Sequence, residues 1–405
     1  MAASPAARLS VRAAMNQTAD IIILGAGMAG ASAAAHLAPQ ARVLLVEAEA
    51  QPGRHATGRS AATFFETYGN ASVRALVRAS RSFLLAPPEA FAAVPLMTPR
   101  HALFIATQGQ LPRLLALRDD PAVAAVTHPI GRGEALALVP ILRPELLGGA
   151  VLDHSGFDID VDALLQGFLR RAKVAGAKLR TDLGFEARIE HGDGVWRVHS
   201  RQGVLEAPLL LNAAGAWADA LAQRAGVQTI GLQPLRRSVL IIPAPTAVDT
   251  ARWPMVIDID EQFYFKPDAG RLLLSPANED PSPPCDAVPE ELDLALAVDR
   301  FERATTHTVA RILQRWAGLR SFVPDRTPVV GYASDAPGFF WLAAQGGYGI
   351  ETAPALGALA ASLVLGHGTP ADLARHGVDA RLLDPARLRR PPGRSASAEL
   401  VVPRA

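Results

Sequence analysis

The residues best suited to chemistry near the start of the chain are three glycines and an acid. Gly25, Gly27 and Gly30 form a Gly-x-Gly-x-x-Gly turn between an apolar β-type run, Ile21 to Leu24, and small residues, Ala29 to Ala35, that favour a helix. Such a turn suits a dinucleotide: Gly25 permits the tight bend, Gly27 lets the backbone approach a pyrophosphate, and Gly30 allows helix and strand to pack closely. The helix start then offers free N–H groups and a positive dipole end to the phosphates. A second apolar run from Arg42 ends in Glu47, about twenty residues beyond the turn, where a carboxylate can accept both ribose hydroxyls.

Three later stretches can serve the same ligand. The polar, glycine-punctuated loop 48–62 is too long for a simple connector, and its Thr57, Arg59 and Ser60 can donate hydrogen bonds to phosphates or to a ring system. Ala213-Ala-Gly-Ala-Trp217 follows a buried run, Pro208 to Asn212, and its small residues let a backbone approach something flat or phosphorylated. Phe339 to Ala343 enters Gln345-Gly-Gly-Tyr-Gly349 and then a helix, Ala353 to Leu365, so a second helix start is served by glycines.

The elements that must position these residues follow from the patterning. A helix starts near Ser72, short helices cover Leu111 to Leu117 and Glu134 to Val139, and His101 to Ala106 and Gly149 to Leu152 are strands. Asp160 or Asp162 caps a helix whose Leu164, Leu165, Phe168, Leu169 and Ala172 share a face, and Ala177 to Thr181 is the next strand. Ala187 to Glu190, Val195 to Ser200 and Gly203 to Glu206 form an antiparallel meander. Leu232 to Pro243 and Gln262 to Ser275 alternate as half-exposed strands do, and Glu290 to Arg303 is a helix. The order strand, helix, strand, meander, strand marks a dinucleotide domain interrupted by another domain.

Composition agrees with that organisation. A chain of 405 residues is long enough for two domains, and a formal charge of +1 gives no argument for nucleic acid. The single cysteine, Cys285, excludes an internal disulfide, and no Cys/His cluster has metal-ligand spacing, so no metal is expected. Residues 1–18 read as a disordered leader without the apolar block of about 7 to 15 residues of a secretory signal, and Met15 is an alternative start. The most hydrophobic run, Phe339 to Leu365, carries Gln345, Glu351 and Pro354, which makes it a poor membrane span. A soluble, cytoplasmic protein with small-molecule partners is expected; peripheral membrane association stays compatible with the sequence.

With these segments in order, residues 19 to 385 resemble the D-amino-acid oxidase superfamily of FAD-dependent oxidoreductases, most closely its D-arginine dehydrogenase and D-amino-acid dehydrogenase type. Four stretches carry the resemblance: Gly25 to Gly30 with Glu47; Pro52 to Ala62; Trp316 to Val323; and Ala343 to Gly349. It implies an α/β chain, with a Rossmann-like FAD-binding domain of glutathione-reductase type plus an α+β substrate domain on a large mixed sheet. The FAD-binding domain would comprise 19–66, 150–230 and 318–385, the substrate domain 67–149 and 231–317, and 386–405 would be a disordered tail. FAD would be noncovalent. Gly25, Ala26, Gly27, Met28, Ala29 and Gly30 would hold its pyrophosphate, and Glu47 and Ala48 its ribose. His55, Thr57, Gly58, Arg59, Ser60 and Ala61 would run along the flavin, and Ala214, Gly215 and Trp217 near the adenine half. Gly318, Arg320 and Gly346, Gly347, Tyr348, Gly349 and Ile350 would close the flavin side, the last helix start stabilising an anionic reduced flavin.

The resemblance also implies oxidation of a D-amino acid, with hydride passing from Cα to the flavin and the imine hydrolysing to a 2-oxo acid and ammonia. Tyr68, Arg237, Tyr264, Arg320 and Gly347 would be the catalytic residues, Arg237 and Arg320 clamping the substrate carboxylate because a bidentate guanidinium suits that planar anion. The acceptor that reoxidises the flavin, O2 or a quinone- or dye-type molecule, is not set by these residues. Where the D-arginine type has a carboxylate for a cationic side chain, this chain has Ala102 in Pro99-Arg-His-Ala102. Phe64 and Phe65 in a lid-like loop, Thr63 to Tyr68, favour an apolar side chain, whereas Glu66 and Glu351 would restore a negative pocket. A secondary-amine oxidase of glycine or sarcosine type shares the fold, and a flavin-binding protein without turnover is the alternative of another class.

Overall fold

The structure, a computed structural model, describes residues 17–184, 188–200 and 202–389. Its nucleotide side is built on a six-stranded sheet in the order Lys178–Arg180, Val43–Val46, Ile21–Leu24, Leu209–Asn212, Phe339–Ala343, Val329–Tyr332. The first five run parallel and the last is antiparallel. Ile21–Leu24 is buried on both faces, as a strand reading Ile-Ile-Ile-Leu in the middle of a parallel sheet must be. One face is covered by the helices Met28–Leu37, Val161–Val174 and Ala353–Val364. The small residues of Met28–Leu37 bring the first and last of these together, and Ser32 Oγ donates to Ala353 O at 2.6 Å. The other face is covered by a four-stranded sheet of Gln17–Thr18, Gly203–Ala207, Val195–Ser200 and Arg188–Gly192, whose Trp196 packs on Phe339. Sheet, helices and meander form the layered α/β architecture expected. Asp160, not Asp162, caps Val161–Val174, accepting from Ala163 N–H at 2.8 Å.

The second body is a nine-stranded mixed sheet containing Gln233–Pro243, Arg271–Ser275, Tyr264–Asp268, Met255–Asp258, Ala102–Ala106, Gly149–Asp153 and Thr127–Ile130. Gln233–Pro243 does not alternate in and out as its sequence suggests. One face packs under the helix Glu291–Ala304 through Leu240, Ile242 and Phe301, and the other carries Val239 and Ile241 toward Phe65 and Tyr264. With both faces covered, apolar residues outnumber polar ones on either side.

Several expected boundaries move. Gly149–Asp153 was placed at the start of a nucleotide-domain segment, yet it pairs with Ala102–Ala106 and Thr127–Ile130 inside the large sheet. Gln314–Phe322 runs along Gln233–Pro243 as far as Phe322, so the crossing back comes after 322 and not at 318. The helix Ala71–Leu85, expected in the substrate domain, buries Val73, Leu76 and Val77 among the helices of the nucleotide side, and Ser80 Oγ accepts from Ala355 N–H. A composition shift at Pro87 marks the change of body better than the position after Glu66. Of the expected leader, residues 1–16 lie outside the described residues, while Gln17 and Thr18 pair with Leu205 and Glu206. Of the expected tail, 390–405 lie outside them, while Pro385–Arg389 is a short helix tied down by Arg387 to Asp325 and Arg389 to Asp335. The meander strand expected from Ala187 is described from Arg188, Ala187 lying outside the described residues. No helix of the described residues is long and apolar enough to cross a membrane.

Candidate active site

A continuous cavity of about 770 Å³ runs from the first glycine turn to the large sheet. At its nucleotide end the chain leaves Ile21–Leu24 through Gly25, whose φ of 101° no side chain tolerates and whose Cβ would lie 2.4 Å from Ala213 O. Gly27 then caps the helix Met28–Leu37. Glu47 is buried at the end of the neighbouring strand, accepting from Ala26 N–H at 2.8 Å and from Glu49 N–H at 3.1 Å, and its carboxylate lines the cavity. Thr57 Oγ1 accepts from Met28 N–H at 3.0 Å, which brings the 48–62 loop onto the helix start. Asn212 fixes the third wall by holding Ala218 O and Ala214 N–H, so that Ala213 to Trp217 turns across the cavity. His55 and Trp217 stand with ring centres 4.6 Å apart.

Most residues expected at the cofactor line this cavity: Gly25, Gly27, Met28, Ala29, Glu47, Ala48, His55, Thr57, Arg59, Ser60, Ala61, Ala214, Gly215, Trp217, Gly318, Arg320, Gly346, Gly347, Tyr348, Gly349 and Ile350. Ala26, Gly30 and Gly58 stand behind the wall. Ala26 is fully buried, a Cβ on Gly30 would lie 1.9 Å from Gly25 O, and Gly58 closes its own turn onto Gly53 O at 2.8 Å. These three shape the turns and are not in the cavity wall. Arg59 also departs from expectation: its guanidinium donates to Ala287 O and Ala317 O and pairs with Asp286, so it ties the loop to the large sheet.

At the other end, Arg320 and Arg237 lie on adjacent antiparallel strands. Arg320 is opposite Leu235 and Arg237 opposite Gly318, so the two are diagonal neighbours on one face, with no side chain between them at Gly318. Arg320 Nη1 donates to Tyr68 Oη at 2.9 Å. A Cβ on Gly347 would come within 3.0 Å of the Arg320 guanidinium carbon, so glycine there leaves Arg320 its place. Arg237 is buried and already engaged, donating to Asn278 O at 2.8 Å and pairing with Glu279 at 3.2 Å. Tyr264 is buried among the residues lining this end of the cavity, with its hydroxyl enclosed beside Ser275 and Arg237. All five residues expected to be catalytic, Tyr68, Arg237, Tyr264, Arg320 and Gly347, thus line one end of the cavity.

The charges there interact strongly. Burial alone would lower Arg320, but the Tyr68 and Tyr264 phenols with Glu261 and Glu279 hold it above the ordinary arginine range. Burial works to raise Tyr264, and Arg320 and Arg237 outweigh it, so that phenol ionises more easily than usual. Burial pushes Tyr68 up. Glu351 is fully enclosed, and burial pushes its carboxyl up to about 8 although Phe65 N–H and Arg320 pull it down. It is therefore neutral at pH 7 and does not create the negative pocket considered from sequence. Glu66 does not either: it pairs with Arg81 at 3.2 Å and is not in the wall.

The Thr63 to Tyr68 stretch is no lid. Phe65 N–H donates to Glu351, Glu66 N–H to Ser155 Oγ and Thr67 Oγ1 to Asp153, the last at 2.6 Å, and Phe64 is buried in the helical core. Phe65 alone of its two phenylalanines reaches the cavity, beside Phe104, Met255 and Ile257. Ala102 is wholly buried in the sheet and stays out of the wall. Sequence reasoning passed over Glu261, Glu279 and Arg326. All three line the cavity from turns and loops flanking strands, where the only sequence signal is a charged residue beside a buried strand end.

Comparison with known proteins supplies the context for this arrangement. A family model described as DAO, FAD dependent oxidoreductase, matches residues 20–363. The chain is 28% identical over 344 residues to the tRNA 5-methylaminomethyl-2-thiouridine biosynthesis bifunctional protein MnmC of Burkholderia pseudomallei (strain 1106a), covering 80% of this chain and 49% of that protein. It thus spans about half the length of that relative. Among solved structures, L-proline dehydrogenase from P. horikoshii superposes with a TM-score of 0.77 at 20% identity, covering 93% of this chain and 99% of the other. Glycine oxidase from Geobacillus kaustophilus gives 0.74 at 23% identity, with 89% and 98% covered. These two likenesses show the fold.

Proposed function

The chain belongs to the DAO family of FAD dependent oxidoreductases, and from that premise we propose that it oxidises the amine of a D-amino acid to the imino acid, which water converts to a 2-oxo acid and ammonia. The observation that carries this reading is the half-buried Arg320 in the cavity wall, whose hydrogen-bonded side-chain partner among the described residues is the Tyr68 phenol, near the enclosed Tyr264 hydroxyl. A guanidinium in the cavity wall with no carboxylate hydrogen-bonded to it is suited to an anion, and a substrate carboxylate supplies one. Arg320 binds that carboxylate, Tyr264 donates to it, and Tyr68 holds the guanidinium in place. FAD, which Glu47 and the start of Met28–Leu37 would hold noncovalently, would supply the acceptor for the hydride from Cα. Orienting the substrate between Arg320 and the apolar wall of Phe65, Met255 and Ile257 is the protein's main contribution to rate.

At the nucleotide end the residues fit the cofactor. Glu47 and the start of Met28–Leu37 line the same end of the cavity, and they would hold the ribose and the pyrophosphate respectively. Glu47→Gln is expected to weaken FAD retention about tenfold or more, the usual loss when an ionised acceptor is removed. Fluorescence of released flavin reads this, and an unchanged dissociation constant would remove Glu47 from the ribose site.

The deciding experiment is anaerobic mixing of the FAD-loaded protein with D- and L-amino acids while following the flavin spectrum. Bleaching by D-amino acids and not by their L-enantiomers is expected. Bleaching only by glycine or N-methylglycine would replace this reading with secondary-amine oxidation, and a spectrum that stays oxidised with every amine would make the chain a flavin-binding protein without turnover.

A further inference from the structure

We propose that Glu351 serves the cofactor as well as the fold: its carboxylic acid donates a hydrogen bond to the bound flavin and exchanges a proton with solvent as the flavin is reduced. The inference rests on FAD binding and not on which amine is oxidised.

Its position in the wall points there. Glu351 follows directly on Gly346 to Ile350, and its Oε2 accepts at 3.0 Å from the N–H of Phe65, in the stretch that continues the 57–61 loop. The two segments expected along the flavin therefore meet at this carboxyl, which lines the cavity with residues of both. Only 3% of the residue is accessible. Oε1 has no hydrogen-bond partner among the described residues, yet it is not sealed off as the unpartnered Ser321 Oγ and Gln345 Nε2 in the same wall are. One oxygen is thus used by the fold and the other is left to the cavity.

The surroundings decide which form the acid presents. Arg320 acts on it through space only, its own hydrogen bond going to Tyr68, and the enclosed Asp153 opposes ionisation. A carboxyl enclosed in this way, with one N–H donor and no bonded cation, keeps its proton at pH 7, and burial pushes it up to about 8. With Oε2 accepting from Phe65, the acid proton sits on Oε1, where the described residues offer no acceptor. An enclosed donor left unpaired is unfavourable, and the carbonyl oxygens and ring nitrogens of a flavin are acceptors that satisfy it.

Neighbouring groups leave this proton to Glu351. The phenols of Tyr68 and Tyr348, with ring centres 4.8 Å apart, are both pushed up by burial, away from neutrality. Asp153 is held by Thr67 and Ser155. The helix Ala353–Val364 brings no titratable side chain, and on the helices packed against it Arg81 pairs with Glu66 and His36 is bonded to Ser32 O. Reduction makes the flavin more negative, which holds a nearby carboxyl neutral to higher pH. Above about pH 8, where Glu351 is ionised beside the oxidised flavin, the two electrons that enter the flavin therefore bring one proton from solvent to the carboxylate. Below that pH the proton is already in place.

The test uses the FAD-loaded protein without any amine. The oxidised spectrum is titrated with pH, and the midpoint potential is measured from pH 6 to 9 with dithionite and indicator dyes. One proton is expected to perturb the flavin absorption near pH 8, and above it the potential falls by a further factor of about ten per pH unit, about 30 mV for a two-electron couple. Glu351→Gln keeps an acceptor for Phe65 N–H and a donor for the flavin but cannot titrate, so the spectral step and the extra slope vanish while the potential at pH 7 stays close to that of the unmodified protein. Glu351→Leu removes the donor and disfavours the reduced flavin at pH 7 about tenfold, about 30 mV. A flavin spectrum indifferent to pH between 7 and 9 in the unmodified protein, which needs no variant to fold, overturns the inference. So does a titration that survives in Glu351→Gln, which would assign it to another group such as the Tyr264 phenol, whose ionisation Arg320 and Arg237 ease. Because no amine enters these measurements, the two readings fail separately: a Glu351-dependent titration without bleaching by any amine overturns the oxidation reading alone, and bleaching by D-amino acids with a pH-indifferent flavin overturns this inference alone.

Discussion

Arg320→Ala is expected to lower kcat/KM by about two to three orders of magnitude, the scale of removing one member of a buried, hydrogen-bonded charge pair. The loss has two sources. The substrate carboxylate loses its guanidinium, and the Tyr68 hydroxyl, held at 2.9 Å by Arg320, loses the group that orients it. Arg237 does not substitute, because Asn278 O and Glu279 already hold it. Arg320→Lys restores charge without the planar fork and recovers only part of the rate. Affinity for inert carboxylates falls in parallel, and it reads the binding loss independently of turnover. An Arg320→Ala protein with near-normal kcat/KM would transfer the carboxylate to another residue.

The parts of this site legible in the sequence are those where a backbone must bend or come close. Gly25, Gly27 and Gly347 are required by a left-handed φ, a helix start and a neighbouring guanidinium, and a glycine-rich pattern between a strand and a helix reports such needs locally. Only the family resemblance points to Arg320 and Arg237; nothing in their spacing shows that antiparallel pairing puts them on one face. Arg59 misled for a related reason. Its loop does line the cavity, but the partners that claim its guanidinium lie more than two hundred residues away in sequence, Asp286 and Ala287 in the loop before Glu291–Ala304 and Ala317 in a strand of the large sheet. Phe64 and Phe65 are neighbours that alternate across a short strand, so one enters the helical core and the other the cavity. Domain edges moved because Gly149–Asp153 and Gln314–Phe322 choose partners by sheet pairing, which composition does not record.

Glu351 sets the second large effect, which appears as a pH dependence of stability. In the unfolded chain this carboxyl titrates near its ordinary 4.5, and in the folded protein burial pushes it up to about 8. Between those values the folded state binds one proton more than the unfolded state, so stability falls as pH rises through that window, by about 1.4 kcal/mol per pH unit. The accumulated loss is on the order of 5 kcal/mol, complete above about pH 8 and absent below about pH 4.5. Glu351→Gln removes the titration and keeps a side chain whose carbonyl can accept from Phe65 N–H. Urea unfolding from pH 5 to 9 is therefore expected to show the variant close to the unmodified protein at the acid end and clearly more stable at the basic end. Asp153, which burial also raises, is present in both proteins and interacts with Glu351, so the difference between the two slopes reports Glu351 together with its coupling to Asp153. Equal slopes in the two would place the titration elsewhere. The same charge bears on catalysis, because an ionised Glu351 lowers the potential around Arg320 and competes with the substrate carboxylate. KM of the unmodified protein should thus climb as pH passes about 8, and Glu351→Gln should flatten that climb while leaving the Arg320 contact in place.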